Sequence, residues 1–265
     1  MFNLTPTVRN LLIINVLLLV ITSSMPQLPV VEFGALFPLG SPLFQVWQFV
    51  THMFLHGGWG HLISNMFGLI SFGPLLEQRW GAQRFLAFWL ICGVGAGALY
   101  QGVRYYEISA LSRDRQELAA NPTGGDFDQF VTKYAGNTYA AADYHQLAAA
   151  LQRNPNDEQL KANVLEESGR ILKATYLSPM LGASGALFGL LFAFAYLFPN
   201  TELFLLFIPF PIKAKYFVFL YAMYELYSGV HRTPGDNVAH FAHLGGLLIG
   251  FVILKVWERG RGQFY

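Results

Sequence analysis

The feature of this sequence that most constrains its fold is a set of six apolar stretches, each near the roughly 20 residues that a helix needs to cross about 30 Å of hydrocarbon. Only 12% of the 265 residues are charged, about half the share in an average soluble protein. Backbone groups in lipid must pair within the chain, and the stretches lack the alternating pattern of barrel strands. The sequence therefore predicts an all-α membrane protein with six spans, near residues 8–24, 60–78, 82–103, 176–198, 212–230 and 237–257.

The charge balance and the cysteine count exclude several other classes of protein. Lys and Arg number 17 against 16 Asp and Glu, so the formal charge of +1 creates no field that attracts nucleic acid. The one cysteine, Cys92, excludes an internal disulfide framework and a cysteine-based zinc site. The partner that the composition predicts is the lipid bilayer, and no nucleic acid is expected.

Basic residues near the ends of the stretches predict the orientation of the chain, because cytoplasmic connections carry more Lys and Arg. The connection after the first stretch has none, and the connection after the fifth has only Arg232. Both termini are therefore expected on the cytoplasmic side, with Arg9, Arg79, Arg84, Lys213, Lys215, Lys255, Arg259 and Arg261. Without a leader rich in Arg and Ser, this membrane is expected to be a bacterial plasma membrane rather than that of an organelle.

Residues 104–175 form the one marked shift in composition, since they are polar and rich in Ala between two apolar stretches. Apolar side chains recur at helical spacing within 139–153 and 157–173, which predicts two or three amphipathic helices on the extracytoplasmic surface. The chain is thus expected to consist of three parts, with residues 1–103 before this insertion and 176–265 after it.

Small residues recur every four positions in the fourth and sixth stretches, which allows two helix backbones to approach closely. These stripes are Gly185, Gly189 and Ala193 in the fourth stretch and Ala242, Gly246 and Gly250 in the sixth. Ser184 and His243 lie beside the stripes, so packing of the two helices would bring a hydroxyl and an imidazole together. Such a pair is a candidate nucleophile and general base, although Ser and Gly are also ordinary packing residues in membranes.

His61 and Asn65 are four residues apart and project from one face of a predicted helix. Both can donate hydrogen bonds to the oxyanion that forms when a serine attacks a carbonyl, together with the backbone N–H of Ser184. They can equally join two helices by hydrogen bonds. The fourth and sixth stretches contain no Asp or Glu to orient the base, so a Ser–His dyad is expected, with Phe188 packed under the imidazole.

The chain resembles the rhomboid family of intramembrane serine proteases. The similarity rests on ordered motifs, namely His52, His56, His61 and Asn65, then residues 77–81, 182–185 and 242–250. It implies a six-transmembrane-helix rhomboid bundle with serine endopeptidase activity on transmembrane protein substrates and no cofactor. It also implies that Ser184 is the nucleophile, His243 the general base, and His61 and Asn65 the oxyanion donors.

The resemblance assigns roles to several neighbouring segments as well. Gly182 matches a backbone turn before the serine, and Gly185 belongs to the same motif. The first connection, with its Phe33, Phe37, Phe44 and Trp47, resembles a loop that lies half in the outer leaflet. The fifth stretch and residues 229–237 resemble the gate and cap through which a substrate helix approaches.

Three histidines have alternative interpretations. His52 and His56 are four residues apart and near His61, a spacing that can bind metal. Because carboxylates and a His-Glu-x-x-His pattern are missing there, hydrogen bonds that shape the first loop are favoured and no metal site is expected. His240, one turn from His243, is either a packed polar side chain, which is favoured, or a group that supports the base.

Two functions from other classes compete with proteolysis. A non-catalytic rhomboid-like protein that binds or escorts membrane helices would need no complete set of serine, histidine and oxyanion donors. A transporter is disfavoured because the sequence has no inverted repeat and no matching pair of broken helices.

Overall fold

A helix occupies each of the six apolar stretches in the computed structural model, which describes residues 4–136, 138, 140–204, 210–231 and 238–258. The helices at the six stretches are Pro6–Ser24 (α1), Trp59–Trp80 (α4), Ala82–Ala120 (α5), Ser184–Leu197 (α9), Ala214–Val230 (α10) and His240–Trp257 (α11). In the described part of the chain, α1, α5 and α11 are long and apolar enough to cross a membrane, and α9 is a shorter apolar helix.

The connections contain the remaining elements. The first connection holds two short helices, Val30–Gly34 (α2) and Gln48–Thr51 (α3), with a 3-10 turn at His52–Phe54, and a strand pair, Glu202–Leu203 (β1) and Ile212–Lys213 (β2), precedes α10. Between α5 and α9 lie Gly124–Tyr134 (α6), Ala141–Arg153 (α7) and Glu158–Tyr176 (α8).

Two helices differ in length from the stretches that predict them. α5 continues for 39 residues to Ala120, so the predicted boundary at residue 104 falls inside a helix. The polar residues after position 103 include many good helix formers, and Pro122 follows the end. α9 begins only at Ser184 rather than near residue 176, because Pro179 disfavours helix at the preceding residue and Gly182 has a φ of +124°.

α9 is the central helix, buried on nearly all sides and packed between α5 and α11. The small-residue stripes lie in its contact with α11, where a Cβ on Gly246 would overlap the carbonyl group of Gly185. One turn further along, a Cβ on Gly250 would come within 3.1 Å of Gly189. Glycine is therefore required for the backbones of α9 and α11 to touch.

Two glutamates connect the start of α1 and the end of α11 to the C-terminal end of α4. The carboxylate of Glu77, near the end of α4, accepts hydrogen bonds from Thr5 Oγ1 and from the backbone N–H groups of Thr7 and Val8 at the start of α1. These groups are unpaired in a bare helix N-terminus, and a negative charge is favourable there.

The second glutamate, Glu258, follows the end of α11. It accepts hydrogen bonds from Arg79 at 3.0 Å and from the indole N–H of Trp80 at 3.2 Å. The motif at residues 77–81 therefore fixes the ends of α1 and α11 against α4.

The insertion has a hydrophobic core of its own. The C-terminal half of α5 packs with α6, α7 and α8 around buried apolar residues that include Leu111, Phe127, Phe130, Leu151 and Val164. Thr123 and Asp157 cap α6 and α8 through their side-chain oxygens. The apolar spacing that predicts helices in 139–153 and 157–173 corresponds to α7 and α8, and α6 adds a third.

A substitution at Gly246 tests the contact between α9 and α11. We expect Gly246→Ala to destabilise the protein by about 2 kcal/mol or more, because the added methyl group overlaps backbone that cannot rotate away. Gly102→Ala in α5 is the matched control, since a Cβ there meets nothing within 4 Å. Thermal unfolding in detergent measures both, and equal melting temperatures for the two variants would contradict a close contact.

Candidate active site

The hydroxyl of Ser184 and the imidazole of His243 form a direct hydrogen bond. Ser184 is the first residue of α9 and His243 lies in the first turn of α11, so the glycine contact between these helices brings the two side chains together. Ser184 Oγ is 2.7 Å from His243 Nε2. The ring of Phe188 stacks on the imidazole with a centroid distance of 4.3 Å and an interplanar angle of 7°. The imidazole is thus held parallel to the Phe188 ring and beside the Ser184 hydroxyl.

The expectation that no carboxylate adjoins this histidine is wrong. Glu225, in the middle of α10, places its Oε2 atom 2.9 Å from His243 Nδ1. The fourth and sixth stretches contain no acidic residue, and the carboxylate comes from the fifth stretch. A carboxylate inside an apolar stretch is costly, and this is the sequence signal by which Glu225 could have been recognised.

His240 binds the same carboxylate oxygen, and its interpretation as a packed polar side chain rather than a group that supports the base stays a prediction. Its Nδ1 atom lies 2.6 Å from Glu225 Oε2, and both residues are buried. Glu225, His240 and His243 are the one group of three or more potential metal ligands among the residues that the structure describes. This group includes neither His52 nor His56, the two histidines whose spacing can bind metal.

The segment before Ser184 is held by the first connection. Leu36 and Met180 exchange two backbone hydrogen bonds as an antiparallel bridge, at 2.8 and 2.9 Å. The N–H of Gly182 donates to the carbonyl oxygen of His52 at 2.9 Å, and the imidazole Nδ1 of His52 lies 2.7 Å from the carbonyl oxygen of Gln48. His52 therefore anchors the turn at Gly182 through its backbone.

His61 and Asn65 lie on the first turns of α4, next to this turn. A Cβ on Gly182 would come within 2.7 Å of the His61 ring and 3.7 Å of Asn65 Nδ2. Asn65 Nδ2 is buried and has no hydrogen-bond partner among the described residues, so it is an available donor. His61 Nδ1 accepts from the N–H of Gly57 at 3.4 Å, which places the ring proton on Nε2, toward Gly182.

His56 is the remaining predicted histidine. Its ring is buried and meets the ring of His61 edge to face at 5.0 Å, and neither of its nitrogens has a partner among the described residues. Its ring packs against His61, and its predicted part in shaping the first loop stays a prediction.

A cavity of about 1240 Å³ opens above the serine between α4, α9 and α10. Its wall includes Ser184, His243, His61 and Asn65, and apolar side chains from α4 and α10 such as Phe67 and Tyr224. Of the predicted cap, residues 232–237 lie outside the described residues, as do Arg232, Arg259 and Arg261. The site is thus a cavity beside α4 and α10, and the outer faces of these two helices carry exposed apolar side chains.

Comparison with known proteins defines the class to which this fold and site belong. The family model described as the Rhomboid domain matches residues 43–110 and 161–258, so the chain belongs to the rhomboid family. Residues 111–160, which contain α6 and α7, fall between the two matched parts.

Several curated relatives are similar to parts or most of the chain. An uncharacterized mitochondrial rhomboid protein of Schizosaccharomyces pombe is 26% identical over 220 residues, which cover 80% of this chain and 52% of that protein. The mitochondrial RHOMBOID-like protein 12 of Arabidopsis thaliana is 26% identical over 218 residues, 81% of this chain and 47% of its own. Rhomboid-like protease 5 of Toxoplasma gondii is 38% identical over 55 residues, 21% of this chain and 6% of its own. The chain thus spans about half the length of the first two.

The expectation of a bacterial plasma membrane is wrong in view of these relatives. The two that match four-fifths of the chain are both eukaryotic and mitochondrial. The expectation relied on a missing leader, and a chain that spans half of its relatives' length carries no information on what precedes the shared part.

Substitution of Gly182 tests how tightly the turn is held against His61. We expect Gly182→Ala to lower stability by about 2 kcal/mol or more, because it combines a strained positive φ with a methyl group inside the His61 ring contact. Gly58→Ala is the control, with a φ of +154° and open space around a Cβ, so it reports strain alone. Chemical denaturation in detergent measures the free energy of unfolding of both variants. A smaller loss of stability in Gly182→Ala than in Gly58→Ala would refute the close contact.

Proposed function

We propose that the chain is an intramembrane serine endopeptidase that cleaves transmembrane protein substrates through an acyl-enzyme on Ser184. The observation that carries this proposal is the 2.7 Å hydrogen bond from Ser184 Oγ to His243 Nε2. A serine hydroxyl attacks a carbonyl only when a neighbouring base removes its proton, and neutral imidazole suits this task. A protein that only escorts membrane helices has no use for such a pair.

The mechanism begins with proton transfer from Ser184 Oγ to His243 Nε2 as the oxygen attacks the scissile carbonyl carbon. The tetrahedral intermediate collapses when the imidazolium gives this proton to the leaving amine, and the first product departs. Water then attacks the ester carbonyl while His243 accepts one of its protons. The second tetrahedral intermediate collapses when His243 returns this proton to Ser184 Oγ, which breaks the ester bond and releases the second product as a carboxylic acid. In this mechanism every proton moves through His243 Nε2, which lies 2.7 Å from Ser184 Oγ.

The oxyanion is stabilised by donors that already surround the turn at Gly182. Ser184 begins α9, so its backbone N–H belongs to the unpaired first turn, where the helix dipole favours negative charge. Asn65 Nδ2 supplies a buried donor and His61 Nε2 a second, from the neighbouring first turns of α4. Donors fixed before the reaction stabilise the transition state more than water does.

The substrate class follows from the membrane arrangement that we propose. The helices α1, α4, α5, α9, α10 and α11 each cross the bilayer once, and the exposed apolar faces of α4 and α10 contact lipid. α9 has 14 residues and is about 21 Å long, shorter than about 30 Å of hydrocarbon, so Ser184 lies below one surface at the floor of the cavity. A substrate helix reaches it between α4 and α10, with its end unwound into the cavity.

The first connection also fits a position within one leaflet. Phe33 and Trp47 are exposed, and their rings lie 5.1 Å apart as one apolar surface. Two buried amides satisfy many of its backbone groups, since Gln48 binds five backbone groups of the loop and Gln101 binds Phe37 and Leu39. The compartment that we propose is a mitochondrial membrane, as in the relatives that match most of the chain.

Removal of either reacting group tests the proposed activity. We expect Ser184→Ala and His243→Ala to abolish cleavage of a model transmembrane substrate in proteoliposomes, and to abolish labelling by a fluorophosphonate probe. His145→Ala is the matched control, because this imidazole binds Asp128 in the insertion, and it should retain parental rates. Undiminished cleavage by Ser184→Ala, or an inactive parent with a folded structure, would support the helix-binding function instead.

Removal of an oxyanion donor tests the second half of the site. We expect Asn65→Ala to lower kcat about 10²- to 10³-fold with little change in KM, because the donor acts on charge that exists only in the transition state. Asn15→Ala in α1 is the control, since that buried amide binds only Leu11 within its own helix. A kcat loss of equal size in both variants would show that the effect is structural.

A further inference from the structure

The carboxylate of Glu225 is the meeting point of two buried imidazoles. Its Oε2 atom is 2.9 Å from Nδ1 of His243 and 2.6 Å from Nδ1 of His240. The side chain of Glu225 is only 2% exposed, and that of His240 is 4% exposed. A buried carboxylate is costly unless it is hydrogen-bonded, so its position at the middle of α10 requires these N–H groups.

From this geometry we infer that Glu225 is a positioning residue for the general base, and that His240 holds Glu225 in place. This inference rests on the proposed function, since it assigns the base a partner. The three helices α9, α10 and α11 then contribute one group each to a chain of hydrogen bonds that runs Ser184, His243, Glu225.

The first argument concerns the tautomer of His243. An ionised carboxylate only accepts hydrogen bonds, so His243 Nδ1 must carry the ring proton that faces it. The lone pair is then on Nε2, the atom that meets Ser184 Oγ. Without the carboxylate, the opposite tautomer would point a proton at the serine and could not act as a base.

The second argument concerns charge during the reaction. Proton transfer from Ser184 turns His243 into an imidazolium inside a bundle where little water is available to solvate it. A carboxylate at 2.9 Å stabilises this cation, and the low dielectric of the site strengthens the attraction. Phe188 packs between His243 and Tyr221 of α10, so the imidazole is confined to the plane that meets both partners.

A metal ion bound by the same three residues is the competing assignment, and the distances disfavour it. Two ligands of a tetrahedral zinc ion, each about 2.0–2.1 Å from the metal, are roughly 3.3 Å apart. The two nitrogen–oxygen separations are 2.6 and 2.9 Å, which are lengths of charge-assisted hydrogen bonds. The nitrogens therefore carry protons toward Glu225.

The test compares Glu225→Gln with Glu225→Asp in the 265-residue chain. We expect Glu225→Gln to lower kcat at least about 100-fold with KM within about threefold, because the amide keeps the volume but permits the wrong tautomer. Glu225→Asp keeps the charge and should recover part of kcat. His240→Gln should show a smaller loss of kcat, since the carboxylate keeps its bond to His243.

The matched control is Glu77→Gln, a buried glutamate that accepts hydrogen bonds from backbone N–H groups at the start of α1. It is expected to lower the melting temperature and to leave the kcat of the folded fraction near the parental value. A kcat of Glu225→Gln within about twofold of the parent, or an equal loss of kcat in Glu77→Gln, would overturn the positioning role. Loss of parental activity on treatment with EDTA, with recovery on addition of zinc, would overturn it in favour of a metal site.

A spectroscopic measurement separates this inference from the proposed function. Nitrogen-15 NMR of labelled histidine, assigned with His243→Ala, reports the tautomer whether or not a substrate is cleaved. The expected result is a proton on Nδ1 of His243 in the parent and in Ser184→Ala, and loss of that tautomer in Glu225→Gln. An inactive parent with this spectrum would refute only the protease, whereas an Nε2-protonated His243 in the parent would refute the positioning role.

Discussion

The direct contact between the backbones of α9 and α11 is the constraint on which the site depends. Gly185 and Gly246 bring the helices so close that a single Cβ would separate them. Ser184 precedes the first of these glycines by one residue, and His243 precedes the second by three, so the same contact sets the distance between hydroxyl and imidazole. A shift of one helical residue would move these side chains by about 1.5 Å along the axis and break a 2.7 Å hydrogen bond.

The site is assembled from separate parts of the chain, each held for its own physical reason. The first connection binds the strand-like segment before Ser184 through Leu36 and His52, which allows α9 to begin at the serine with its N–H groups unpaired. α4 brings His61 and Asn65 to the same turn, and α10 brings the carboxylate of Glu225 to His243. The order serine, glutamate, histidine along the chain is also that of the α/β-hydrolases, whose fold is unrelated.

Much of this arrangement was predictable from local patterns. Long apolar runs indicate the positions of the helices at the six stretches, and small residues at spacing four indicate the contact that joins Ser184 to His243. Glu225 was not predicted because it lies in a different stretch from the serine and the histidine and no local spacing links it to them, although any charge in an apolar run is costly. The length of α5 was missed because hydropathy falls at Arg104 while helix propensity does not. Pairing between distant segments, as in Leu36 with Met180, leaves no periodic trace in a single sequence.

The continuity of α5 has a mechanical consequence. Its 39 residues make a rod about 58 Å long, nearly twice the thickness of the hydrocarbon layer. One half touches α9 and α11 through Cys92 and Ala96, and the other half supplies Leu111 and Leu118 to the core of the insertion. α5 runs without a break from its contact with α9 and α11 into the insertion. The insertion can therefore turn relative to α9 and α11 only if α5 bends. The insertion therefore keeps a fixed position relative to α9 and α11.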